Sequence, residues 1–149
     1  GWVLPLTPPS PATRAKMQAQ GRRDTAPELA LRRELHRRRK RFFVDRAPVS
    51  RLRRRADLVF PRLRVAVFVD GCFWHSCPTH GRIPRSNRDW WQAKLSRNAA
   101  RDRETDRRLH EQGWSVVRIW EHQPVQQAAD QVEAVLTAAE RRRARPPIP

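Results

Sequence analysis

Residues 56–70, "ADLVFPRLRVAVFVD", constrain the fold of this chain more than any other stretch. Two apolar runs, "RADLVF" and "RVAVFVD", flank the turn "PRLR", and so short a connection suits an antiparallel hairpin. In the second run Val65, Val67 and Val69 alternate with Ala66 and Phe68, so both faces of the strand are apolar. A strand that is apolar on both faces has to be covered on both, which places it inside a sheet and not at its edge.

Helical patterns surround this hairpin. "TAPELALRRELHRRR" starts with a capping residue, Thr25, followed by Pro27 in the first turn, Glu28 at the capping-box position, and Leu31 and Leu35 on one face. "RFFVD" reads as a further short strand. "SNRDWWQAKLSRNAARDRETDRRLHEQG" is the longest helical signal, with Ser86 and Asp89 as a capping box and Gly113 at its close. Trp91, Leu95, Asn98, Asp102 and Leu109 fall on one side of that helix. "WSVVRIW" is a strand that delivers Glu121 and His122, and "PVQQAADQVEAVLTAAERRR" is an amphipathic helix with Val125, Ala129, Val132 and Leu136 inward. The expected architecture is a small α/β domain, a mixed central sheet flanked by helices. Its expected limits are residues 14–140, after an N-terminal arm at 1–13 and before a basic, proline-rich tail at 141–149.

The chain of 149 residues has 32 basic and 15 acidic side chains, a net charge of +17, and 29 of its cations are arginine. Guanidinium forks match phosphate geometry, so the implied partner is a polyanion, with composition silent on DNA against RNA. A hydrophobic content of 38% with six tryptophans favours a folded core over disorder. No apolar run approaches the ~18 residues of a membrane span, and no secretory signal stands out. The expectation is a reducing cytoplasm.

Both cysteines lie in "GCFWHSCPTHG", so they form either a disulfide or half of a metal site. Structural zinc takes four nitrogen or sulfur ligands in a tetrahedron. Cys72, Cys77 and His80 supply three from the loop, with His75 as a competitor, and His122 arrives from the end of the last strand. The favoured set is Cys72, Cys77, His80 and His122, which leaves His75 available for chemistry.

Asp57 sits in the apolar strand "DLVF", where a lone carboxylate is costly without a cation or an arginine beside it. Asp70 ends the neighbouring strand, and two acids at strand ends make a magnesium cradle, with either the Val69 carbonyl or the Asp70 side chain assisting Asp57. His75, near its ordinary pKa, suits proton removal from an attacking water. Glu28 is either a helix cap or an acid at the edge of the same site. Phe73 and Trp74, and one of the pair Trp90 and Trp91, are candidates to insert between stacked bases, against ordinary core filling. Arg53, Arg54 and Arg55 before Asp57, and Arg85 and Arg88 before the long helix, are placed to hold phosphates.

The stretches "RRDTAPELALRRELHRR", "ADLVF", "VAVFVDGCFWHSCPTH", "NRDWWQAKLSRNAARDRETDRRLHEQGW" and "VVRIWE" together resemble the very short patch repair (Vsr) endonucleases over about residues 14 to 122. The resemblance implies a restriction-endonuclease-like fold with a structural zinc. It implies a magnesium-dependent nick 5′ to the thymine of a T·G mismatch left by deamination of 5-methylcytosine, giving 5′-phosphate and 3′-hydroxyl ends. By the same resemblance Asp57 is the metal-binding catalytic aspartate, His75 the catalytic histidine and Glu28 a supporting acid. The Val69 carbonyl becomes a second metal ligand, and Phe73, Trp74 and Trp91 the DNA wedge. The implied partners are mismatched duplex DNA and, functionally, a cytosine-5 DNA methyltransferase, with a monomer doing the work. Three departures stand out: "RRA" replaces the usual glycine-arginine-proline lead-in, Asp70 stands where some members have histidine, and His122 stands where cysteine often follows "WE". The competing readings are a zinc-stabilised DNA-binding module that does not cut, and a restriction-like nuclease of other specificity.

Overall fold

The hairpin forms as its pattern requires. The computed structural model describes residues 8–13, 25–72, 74, 77–79 and 82–145. Strand β2 (Ala56–Phe60) pairs antiparallel with β3 (Val65–Asp70), and β1 (Phe43–Arg46) pairs antiparallel with β2 on the outside. Strand β4 (Ser115–Trp120) lies parallel to β3, from Val65↔Ser115 to Asp70↔Trp120. A parallel pair needs a long crossover, and helix α2 (Arg88–Glu111) supplies it. The order β1-β2-β3-β4 makes β3 an interior strand, as its two apolar faces demand.

Each face of the sheet has its own cover. Leu58, Phe60, Val65, Val67, Val117 and Ile119 pack against Leu31 and Leu35 of α1 (Ala26–Arg37) and against Ala129, Val132 and Leu136 of α3 (Val125–Ala144). The opposite face, with Val59, Ala66 and Phe68, meets Leu109 of α2 and Leu52 of a short 3-10 turn. Arg38, just past α1, ties the two helices of the first layer together, reaching Glu34 at 3.2 Å, Asp130 at 2.8 Å and Glu133 at 2.9 Å.

The helix ends depart from expectation at two starts and agree at one close. Thr25 is the N-cap of α1, but its side chain makes no capping bond. The capping box of Ser86 and Asp89 does not form: the N-cap of α2 is Asn87, left-handed at φ 60°, and Ser86 Oγ donates to Asn87 Oδ1 at 3.0 Å. Asparagine tolerates that backbone region better than most residues, and its amide reaches the Pro8 carbonyl at 3.4 Å. At the other end Gly113 takes φ 83°, where a side chain would be strained. The Gly113 and Trp114 amides return to the carbonyls of His110 and Leu109 at 3.0 and 2.9 Å, a Schellman close.

Parts of the expected arm and tail are ordered. Residues 11–13 form a helical turn and Pro9 is buried. Helix α3 runs on to Ala144, so 141–144 of the expected tail is helical, and Arg143 Nη1 donates to the Arg62 carbonyl at 2.7 Å. Residues 1–7, 14–24 and 146–149 lie outside the described residues.

Candidate active site and metal centre

The β2–β3 ladder stops at Leu58↔Val67, and the strands then part. The next β3 amide facing β2, that of Val69, donates to the Asp57 carboxylate at 2.6 Å. Alternation along β3 agrees, since the Asp70 carbonyl faces the other way and accepts from the Glu121 amide at 3.0 Å. Asp57 thus stands where the sheet opens. Burial pushes its carboxyl up to about 7; the Val69 N–H opposes this, and the nearby charges of Glu28 and Asp70 and a hydrogen bond with Glu28 add to it.

Glu28 is the acid that accompanies Asp57. It is 3% exposed in the first turn of α1, and Arg32 Nη2 donates to its Oε1 at 2.7 Å. The structure buries this acid beside Asp57, and the side chain of the N-cap, Thr25, makes no capping bond. Asp70 is also buried, but both of its oxygens receive Arg118 Nη1, at 3.0 and 3.2 Å.

A second cluster lies just beyond the end of β3. The Sγ atoms of Cys72 and Cys77 and a ring nitrogen of His122 all fall within 4.8 Å of one another. His122 Nδ1 is 3.2 Å from Cys72 Sγ and 3.8 Å from Cys77 Sγ. The cysteines are free thiols and not a disulfide. Backbone bonds shape the knuckle: Cys77 N–H donates to the Cys72 carbonyl at 2.9 Å, and Cys72 N–H to Glu121 Oε1 at 3.0 Å. The Trp120 ring stacks beside His122 at 6.4 Å. Burial, then the neighbouring Cys77, push the Cys72 thiol up to about 12. Two sulfurs and an imidazole converging in one place form a donor set suited to a structural metal of the zinc type. His80, the expected fourth ligand, and His75 and Phe73 lie outside the described residues.

Aromatic rings join the knuckle to α2. Trp74 meets Trp91 edge-on at 5.9 Å, and its carbonyl accepts from Asn98 Nδ2 at 3.3 Å. Trp91 is 1% exposed and packs against Trp90 at 4.9 Å, so it sits beneath Trp74 as a support and offers no surface of its own as a wedge. Trp90 is the half-buried member of the pair.

Among the candidate arginines, Arg53, Arg55, Arg85 and Arg88 are exposed and Arg54 is half-buried. Arg53 is left-handed at φ 54°, a bend just before the Asp57 strand. Arg54 donates to Thr105 Oγ1 at 3.2 Å and Arg55 to Asp45 Oδ1 at 3.0 Å, so both already hold protein partners. Sequence reasoning passed over Arg118 and gave Glu121 no role beyond its place at the strand end. The signal for Arg118 was present, a cation inside the otherwise apolar "VVRIW".

Fold and site together define a mixed α/β protein with an acid pair where the sheet opens and a Cys-Cys-His centre beside it. The family model for the DNA mismatch endonuclease Vsr matches residues 9–80. The type II nicking enzyme V.NaeI of Lentzea aerocolonigenes is 46% identical over 116 residues, covering 75% of this chain and 69% of that protein. The DNA mismatch endonuclease Vsr of Escherichia coli (strain K12) is 38% identical over 112 residues, 74% of this chain and 70% of that one. The type II nicking enzyme V.NmeDIP of Neisseria meningitidis serogroup C is 35% identical over 132 residues, 87% of each. The chain belongs to the Vsr family of DNA mismatch endonucleases.

Proposed function

We propose that this protein is a mismatch-directed DNA endonuclease that nicks one strand 5′ to the thymine of a T·G pair, with catalytic magnesium and structural zinc. The observation that carries the reading is the carboxyl of Asp57, shared with buried Glu28 and bonded to the Val69 amide where the strands part. In an extended strand a residue's N–H and C=O point to the same edge, so the Val69 carbonyl lies on the Asp57 side. Carboxylates and a carbonyl are hard oxygen donors, and they fit magnesium. When bound there, the ion would supply charge relief at the phosphate.

The protein's own groups do the rest. Asp57, with Glu28 beside it, would hold the cation against which the phosphate is placed, and His75 takes the proton of the attacking water. Arg53, Arg54, Arg55, Arg85 and Arg88 hold phosphates on either side, with Arg54 and Arg55 changing partners to do so. Trp74 enters the stack with Phe73, braced by Trp91 from below. Cys72, Cys77 and His122, with His80, hold the zinc that fixes the loop carrying His75. The names of the relatives, nicking enzymes and a mismatch endonuclease, support single-strand cleavage. One active site suffices for one strand, so a monomer acts, within a domain at 14–140. Its substrate arises where a cytosine-5 methyltransferase works, in the cytoplasm. No helix among the described residues is long and apolar enough to cross a membrane.

The test compares T·G duplexes with fully paired controls, with and without magnesium, using Asp57→Ala as the blank. Magnesium-dependent nicking of the T strand is expected. Binding without a nick would point to a DNA-binding module instead, and equal cutting of paired DNA to another nuclease specificity.

A further inference from the structure

Arg118 stands in the middle of β4 on the α2 side, with its guanidinium 4.4 Å over the Phe68 ring. Nη1 donates to both oxygens of Asp70, at 3.0 and 3.2 Å. Nη2 and Nε hold Asp106, at 2.7 and 3.0 Å, and Nη2 reaches the Asp102 carbonyl at 3.4 Å. Its side chain is 22% exposed and that of Asp70 only 7%. Asp70 is the residue after Val69, near enough for its charge to act on Asp57. An acid so placed is an obvious extra oxygen ligand for the cation that Asp57 would hold, yet it is turned toward α2.

We propose that Arg118 is a positioning residue that keeps the Asp70 carboxylate out of the cation's ligand set, leaving that role to Asp57 and the Val69 edge. This rests on the reading of Asp57 as a cation ligand. A charge-assisted contact from one guanidinium nitrogen to both oxygens holds the carboxylate toward β4. Without the guanidinium, the buried anion loses the cation that turns it toward α2, and a bound dication competes for it. A further carboxylate binds a hard dication more tightly and neutralises more of its charge, leaving less to act on a phosphate. Arg118 therefore trades cation affinity for rate.

The test titrates Mn2+ calorimetrically into zinc-loaded wild-type protein and into Asp70→Asn, Arg118→Gln and the double variant, with nicking rates measured in parallel. Asp70→Asn is expected to bind Mn2+ within about threefold of wild type, well inside the roughly tenfold or greater loss that follows removal of a ligand or its close support. Arg118→Gln is expected to bind Mn2+ more tightly by about tenfold while nicking more slowly. The double variant should return to wild-type affinity, a reversal that a merely structural arginine would not produce. A tenfold loss in Asp70→Asn, or unchanged or weaker binding in Arg118→Gln, overturns the proposal. Wild-type protein that binds no Mn2+ overturns the cation reading itself, and this inference with it. If Arg118→Gln does not fold, the affinity of Asp70→Asn decides alone.

Discussion

Replacing Asp57 with asparagine should stabilise the magnesium-free protein at neutral pH while abolishing the nick. The carboxyl titrates at about 7 in the fold against an ordinary 3.8, chiefly because burial disfavours its charge. Between those values the folded protein holds a proton that the unfolded chain has released. Stability is therefore fully present below about pH 4 and is lost as the pH climbs through the folded value. At 1.36 kcal/mol per pH unit, the loss is complete above neutrality and amounts to about 4 kcal/mol. Asparagine keeps an oxygen for the Val69 amide, now 2.6 Å from the carboxylate, but carries no charge to desolvate.

In a chain of this length such a difference moves the melting midpoint by roughly 10 °C. The assay is thermal unfolding followed by circular dichroism in zinc-replete, magnesium-free buffer at about pH 4 and about pH 8. The two proteins should melt together at the lower pH and separate at the higher, with the variant more stable. Added magnesium should raise the wild-type midpoint at the higher pH and leave the variant where it was, because a bound cation does for Asp57 what the proton does. A variant less stable than wild type at both pH values would refute the reasoning. It would mean that the charged carboxylate is a net structural asset, not a strained ligand awaiting its ion.

Cys72→Ser should lower bound zinc below one equivalent by atomic absorption and loosen the knuckle, with rapid amide exchange at Cys77, whose N–H bonds the Cys72 carbonyl. Trp74→Ala should weaken binding to a T·G duplex by about 1–3 kcal/mol, the usual worth of one base–aromatic stack, as read by fluorescence anisotropy. If all five named arginines meet phosphates, log affinity should fall with log salt at a slope of about −4.5. Removing exposed Arg85 or Arg88 should reduce that slope by about one each. Arg55→Ala should cost less affinity, since Arg55 must first leave Asp45.

How much was legible in the sequence depends on the range of each signal. The hairpin, the long helix and the Schellman close are written in residues a few positions apart, and all three formed. The metal centre was legible because two ligands are local, and the third falls into place once β4 is laid beside β3 with Asp70 opposite Trp120. Glu28 was ambiguous because a cap and a site acid share one sequence position, and only the seating of α1 against the opened sheet shows the acid buried beside Asp57. The Ser86–Asp89 box failed because a local preference yielded to Asn87, whose left-handed turn lets its amide reach Pro8. Trp91 is instructive in another way. Its helical phase with Leu95 and Leu109 already pointed inward, and all three are buried; the wedge role came from the resemblance, against that phase.

Asp57 and Arg118 presented the same signal, a single charge inside an apolar strand, and only Asp57 was read. For Asp57 the charge raised the question of what pays for its burial, and the answer led to the site. For Arg118 the same question has a fuller answer within the protein itself: Asp70 and Asp106 take its donors, and Phe68 takes its face. The contrast separates two kinds of buried charge. One satisfied by protein groups on every side holds the scaffold in register. One whose burial, with acidic neighbours adding to it, raises its pKa to about 7 is unsatisfied by the protein alone, and is where an outside cation has most to gain. Arg118 on one strand and Asp57 on another, with Asp70 between their spheres of influence, let the same sheet carry both.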